Sequence, residues 1–401
     1  LDVGTDDVGD LTINTAGTLT TVSSVAVAGD VSLTVNDIDL GSTLDAGTDD
    51  VLVTGQSGRS MSVGTDTSND IQIDNTELSN ITAGALTLKT VDKDITVAGL
   101  ETDDLLGLDA KTGLKLDTGS GAGNISFVSK DSTLGVSLTT SSGTGSFVAS
   151  AGVSTDNQAL SITANDFTIG SKLDSGSAST TLSVFGTDRN LDLAGGDQGD
   201  GADISGAELA LITATDLTVK TKGSSGAIKT GSGITDANTE NISGRFKIDS
   251  GGDFASSTDA ISTASALSIA AGGSVDLNGK VIASAGFSST GTAFDNTGGS
   301  ITTTDSALTI NHSGAIKVGG ALNSGTGNVD IDSGGTIAIN ATASGSAFDI
   351  DATGVTTIAA AGDINASGAV TFGANKVGTL TTSGDIDTSN ANITFTRAVT
   401  L

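Results

Sequence analysis

The residues in this chain best suited to chemistry are aspartates in glycine-bearing corners. Gly4-Thr5-Asp6-Asp7-Val8 recurs as Gly47-Thr48-Asp49-Asp50-Val51. Gly64-Thr65-Asp66 and Gly186-Thr187-Asp188 are shorter echoes. The stretch GGDQGDGAD at 195–203 gathers Asp197, Asp200 and Asp203 into one glycine-rich turn. Calcium takes about six to eight oxygen ligands, carboxylates and carbonyls, and such loops offer both. Asp6, Asp7, Asp49, Asp50, Asp197, Asp200 and Asp203 are therefore the candidate calcium ligands, and no other cofactor is expected. The tandem GGxGxDxUx nonapeptide of calcium-binding β-rolls is not matched. A second reading is that Asp and Gly serve the corners themselves, through Asx-turns and positive φ.

Little else in the chain is equipped for catalysis. There is one histidine, and there is no Cys, Trp or Tyr. Without Cys, disulfides, zinc–thiolate sites and thiol nucleophiles are excluded. Serine–histidine–carboxylate chemistry would have to use His312. That residue stands in Asn311-His312-Ser313-Gly314 and reads as a solvated corner residue. A carboxylate pair for glycan cleavage is not excluded by 47 acidic residues, but none is singled out, and aromatic platforms for sugar rings are scarce. No catalytic residue is assigned, and an enzyme is not expected.

The elements that must position these corners are short strands. Proline is absent from all 401 residues, where average usage would give roughly 20. Proline cannot donate to a β-ladder, so its absence points to a backbone laddered almost throughout. The hydrophobic fraction is 36% and charged residues are 16%, with Val, Ile and Leu alternating with Ser, Thr and Asp. That pattern sets the chain apart from disordered Gly/Ser tracts and predicts strands, not helices.

Repetition gives the architecture. ALSIAAGGSVDL (266–277), ALTINHSGAIKV (307–318), NVDIDSGGTIAI (328–339) and AFDIDATGVTTI (347–358) align without gaps. Each is a strand with two inward apolar residues, a polar corner, and a second strand eight residues on. Leu308, Val329, Phe348, Val370 and Ile393 open similar strands at near-constant intervals, and Leu11 and Val31 repeat the same interval near the other end. A period of about 21 residues suits one turn of a parallel β-helix. The expected fold is all-β, a right-handed parallel β-solenoid of about 19 coils. At about 4.8 Å per coil it would be roughly 90 Å long. Phe127, Phe147, Phe167 and Phe185 repeat the period and are expected to stack. The whole of 1–401 reads as one continuous solenoid, with 1–126 less regular and aromatic-free and 127–401 carrying the regular repeats.

These repeats resemble the shaft of filamentous-haemagglutinin-type adhesins and related giant bacterial β-strand-repeat surface proteins. ALTINHSGAIKV, NVDIDSGGTIAI and the tail segments AGDINASGAVTF and ANITFTRAVTL carry the resemblance, which covers 200–401 well and 1–200 loosely. It implies a right-handed β-helical shaft exported to the cell surface. The proline-containing secretion motifs of that family have no counterpart here.

Net charge is −30, with ten Asp and no Lys or Arg in residues 1–58. Such a surface repels nucleic-acid phosphates and anionic lipid. No apolar run approaches the roughly 20 residues of a membrane-spanning helix, and no signal-peptide pattern opens the chain. Neither end carries a cap, so the chain is expected to continue into a longer polypeptide or to associate head to tail with other copies. The expected function is structural and adhesive, extracellular at a cell surface, with a host or neighbouring-cell surface as the further partner. The alternatives are a glycan-active β-helix enzyme or a calcium-binding surface-layer component.

Overall fold

The computed structural model describes residues 9–66, 68–195, 201–374, 376 and 378–400. The chain is all-β, with about 4% helix, and its parallel strands stack as a β-solenoid of about 18 turns of about 21 residues. Alternation in sequence becomes alternation in space, because successive side chains of a strand point to opposite faces. In Val31–Val35 the pattern runs buried, half-buried, buried, half-buried, buried. The buried Val, Ile, Leu and Phe side chains form the interior, each contributing about 1.5–3 kcal/mol on burial.

The chain divides into two compact units, Leu1–Gly186 with Leu211–Leu217, and Thr187–Ala210 with Thr218–Leu401. In the second unit the coils build three ladders. The first runs in register through Phe246, Leu267, Phe287, Leu308, Val329, Phe348, Val370 and Ile393. The second carries Val275, Phe294, Ile316 and Ile337, and the third Val281, Ile301, Leu322, Ala343 and Ile364. The repeat spacing and the eight-residue offset seen in sequence are these ladders.

The first unit uses the same plan with two long corners; the second has its own in the steps from Leu191 to Ile228 and from Ile228 to Phe254, which hold the short helices Gly206–Leu209 and Asp236–Thr239. The first ladder of the first unit runs Leu11, Val31, Val51, Leu86, Leu114, Leu138, Leu160, Thr180. The step from Val51 to Leu86 is the longest and holds the short helix α1, Asn75–Ser79. The step from Leu86 to Leu114 is the next longest and holds a 3₁₀ turn, Thr102–Leu105. The turns number about 18, against the 19 that simple division gives.

Three of the four spaced phenylalanines join one ladder. Phe147 pairs directly with Phe167, and the Phe127 and Phe147 rings lie 5.9 Å apart. All three are buried. Phe185 does not join them. It follows Ser179–Val184, which belongs to the first ladder, and it is half-exposed. The interval from Phe167 to Phe185 is shorter than the other two, and it ends on a different sheet.

Candidate functional site: corner carboxylates and the Glu77 groove

Corners create a hydrogen-bonding problem, because an N–H just before a strand lies outside the ladder and must still be satisfied. Aspartate solves it from the coil before. Asp10 Oδ1 accepts the Asp30 N–H at 3.2 Å, Asp30 Oδ1 the Asp50 N–H at 3.0 Å, and Asp50 Oδ1 the Ala85 N–H at 3.0 Å. Further along the same unit Asp94 serves Asn124 and Asn124 serves Ser146. The second unit repeats the device with Asp253 and Ser274 (2.7 Å), Asp305 and Thr326 (2.9 Å), and Asp363 and Asp385 (3.0 Å). The Ser274 backbone N–H, then its hydroxyl, hold the Asp253 carboxyl below the usual range.

The residues singled out for calcium fall into this scheme or apart from it. Asp50 is a step of the staircase. Asp49 sits in the tight turn beside it, its N–H donating to Ala46 O at 3.0 Å and its carbonyl accepting from Gly84 at 2.8 Å. Asp203 lies on Ala202–Ile204, directly across the ladder from Asp192, whose other neighbour is Lys229. Burial pushes the Asp192 carboxyl up, against the Gly231 N–H and the Lys229 charge. Asp6, Asp7, Asp197 and Asp200 lie outside the described residues. Among the described residues no three His, Asp or Glu side chains converge as a metal-ligand group. Asp49 and Asp50 belong to one unit and Asp203 to the other.

His312 is not a solvated corner residue. It ends the strand Leu308–His312 with its side chain inward and is 1% exposed. In register it stands between Gly291 and Ser333. Its Nε2 is 3.0 Å from the buried Ser289 hydroxyl, and its ring lies 5.4 Å from that of Phe294. A Cβ on Gly291 would come within 3.1 Å of the imidazole, so glycine makes its room. Burial lowers the His312 pKa to about 4, with a smaller opposing pull from the Ala293 carbonyl. Other coils put a hydroxyl at the equivalent inner corner: Ser250 donates to Asp253 O at 2.7 Å and Ser333 to Thr336 O at 3.1 Å. Ser324 closes a different corner, after the third ladder, by donating to Gly327 O at 2.7 Å.

Two clusters of unusual carboxyls lie elsewhere. On Val329–Ser333 and Phe348–Ala352, Asp330 faces Asp349 and Asp332 faces Asp351 across one ladder, with Lys376 paired to Asp332. Burial, then the neighbouring aspartates, push Asp330 and Asp349 up. The second cluster lines an open groove of about 470 Å³ in the first unit, walled by Asp37, Asp39, Asp74 and Glu77. The motif Asp74-Asn75-Thr76-Glu77 is a capping box. Glu77 N–H donates to Asp74 Oδ1 at 2.9 Å, and Asp74 N–H to Glu77 Oε2 at 2.8 Å. Glu77 Oε1 also accepts the Leu40 N–H at 3.1 Å. Burial first, with Asp74 and Asp37 adding to it, pushes the Glu77 carboxyl up to about 7 against these two N–H donors. The capping box was the sequence signal that could have marked Glu77; nothing local marks the burial.

No helix among the described residues is long and apolar enough to cross a membrane. No protein-family model, curated protein or solved structure matches this chain.

Proposed function

We propose that this chain is a structural segment of an extracellular surface protein, a shaft or filament-forming repeat region whose broad purpose is adhesion. The observation that carries this reading is where the polar side chains go. Corner carboxylates accept N–H groups of the next coil, and inner hydroxyls close the corners. Function then resides in the number of coils and in their mechanical continuity. The likeness of the 200–401 repeats to filamentous-haemagglutinin-type shafts supports the same reading, and placement at a bacterial cell surface rests on it. A net charge of −30 disfavours nucleic acid and anionic lipid as partners; the surface of a host or neighbouring cell as partner rests on the same resemblance.

Further coils fit the exposed face of Ile393–Phe395. That strand pairs on one side with Val370–Phe372, and among the described residues none pairs on its other side. Val370 and Phe372 are buried, whereas Ile393 is 37% and Phe395 40% exposed. A further coil would cover them, supplied by more of the same polypeptide or by a second copy stacked head to tail. Electron microscopy and sedimentation over a concentration series test the second route. Particles that lengthen with concentration are expected. A monodisperse monomer at high concentration, with the amides of Ile393–Phe395 protected from exchange, would overturn it.

A further inference from the structure

The strand Asp37–Leu40 is hydrogen-bonded through its backbone to Thr18–Thr21, and Ile71–Ile73 to Met61–Gly64. Where Asp37–Leu40 and Ile71–Ile73 face each other, no ladder among the described residues joins them. Side chains bridge the seam instead. Asp37 Oδ1 accepts the Gln72 N–H at 3.1 Å, Glu77 Oε1 accepts the Leu40 N–H, and Asn80 Nδ2 donates to Leu40 O at 2.7 Å. Glu77 is thus the carboxyl that ties α1 to a strand far earlier in the chain.

Every titratable group facing this carboxyl from the groove is acidic. Asp37 and Asp39 come from the facing strand and Asp74 from the start of α1. The strands Ile71–Ile73, Met61–Gly64 and Ile81–Thr82, which flank α1, carry no titratable side chain. The 3₁₀ turn packed on α1 brings Asp103 and Asp104, and Glu101 before it. Lys130, the cation that acts on Asp104, is paired with Glu101. Holding Glu77 ionised therefore costs desolvation and repulsion, which its two backbone N–H donors only partly offset.

We propose that this seam is a pH-responsive joint: uptake of one proton by Glu77 relieves the repulsion in the groove and tightens α1 against Asp37–Leu40, and loss of that proton loosens it. The raised pKa of about 7 places the change in the neutral range. The sign follows from linkage. The folded chain holds this proton more tightly than the unfolded chain, so the joint is firmest below neutrality and weakens as pH rises through 7.

The chain has only four glutamates, Glu77, Glu101, Glu208 and Glu240, so ¹³Cδ-glutamate labelling resolves each carboxyl in the full-length protein. One signal should titrate near 7 and vanish in Glu77→Gln. Exchange of the Leu40 and Asp74 amides, corrected for intrinsic rate, should speed up about tenfold between pH 6 and 8, as a group near pKa 7 passes from mostly protonated to mostly ionised. Val31–Val35 amides serve as the internal reference. Glu77→Gln should hold the slow rate throughout, and Asp37→Asn, which keeps an acceptor for Gln72, should lower the Glu77 titration midpoint. Four glutamates all titrating in the ordinary range, or an unchanged pH dependence in Glu77→Gln, would overturn the proposal.

Discussion

The two units solve one problem with different regularity. In the second, successive first-ladder residues from Phe246 to Ile393 follow one another at nearly constant intervals. In the first, from Leu11 to Thr180, the intervals swell at Val51 to Leu86 and at Leu86 to Leu114, then shrink back to their starting size. Yet both keep in-register parallel pairs. The difference shows that the constraint is the ladder, not the period. Extra length is absorbed at corners, where doubling a loop costs only about 0.6 kcal/mol in closure entropy. The insertion also has a chemical consequence. Its short helix brings a half-buried carboxyl to the surface of the first unit, whereas the regular coils of the second hide their exceptional group, His312, inside.

The largest effect should be the same in both units. Phe147→Ala in the first and Phe246→Ala in the second each remove a fully buried ring and should cost about 3–5 kcal/mol. Denaturant unfolding, followed by exchange in the mutated unit, measures it. A unit that tolerates the change by less than about 1 kcal/mol lacks the close-packed interior described here.

Acid should then separate the units by sign. The His312 pKa lies near 4, below its ordinary value of 6.5. Between those values the unfolded chain binds a proton that the folded chain does not. Stability should therefore fall by about 2–3 kcal/mol as pH drops from 6.5 to 4, and His312→Ser should flatten that slope. Glu77 works the other way, with a folded pKa near 7 against 4.5. It should add stability as pH falls through the same range, by about 1 kcal/mol after discounting for its contact with solvent. Parallel slopes in Glu77→Gln and His312→Ser would break the contrast.

A smaller test concerns room. Gly291→Ala would place a methyl group 2.7 Å from Gly273 O and 3.1 Å from the imidazole, which should cost about 1–3 kcal/mol. The cost should shrink when His312 is also replaced by serine. The smallest effect belongs to the staircase. Asp253→Ala and Asp30→Ala each remove an acceptor from the next coil and should cost about 1 kcal/mol, and the matching Asn variants less. Thermal melts of the four variants rank them, and equal losses for Ala and Asn would contradict the acceptor role.

Much of the fold was legible because inward positions repeat as apolar residues. Leu308, Val329, Phe348, Val370 and Ile393 fall on one ladder in the order their spacing implies. The coil at Phe287–Gly291 escaped the gapless alignment because its corner is one residue shorter, Phe287 to Phe294 standing in register with Leu267 to Val275 and with Leu308 to Ile316. Its second inward residue is also Ser289, where its neighbours carry Ile269 and Ile310, and that serine meets His312. Phe185 was misassigned because a single residue type at a near-constant interval does not say on which sheet it lands. The site was less legible. Glycine-aspartate corners suggest metal ligation by composition, but whether a carboxylate faces a cation or the amide of the next coil depends on which coil lies above it. Asp330 and Asp349 become neighbours only when two successive coils are stacked, and the half-buried Glu77 meets Leu40 only across a seam.

The aspartate staircase has a direction. In the chains of Asp10, Asp30 and Asp50, and of Asp94 and Asn124, the acceptor always sits on the earlier coil and the donor on the later one. A polypeptide that emerges amino end first therefore meets, at each step, a carboxylate already waiting for its next amide. Each completed coil becomes the template for its successor. A stack built this way can grow at its later end one coil at a time, each step drawing on acceptors that the coil before it has already placed.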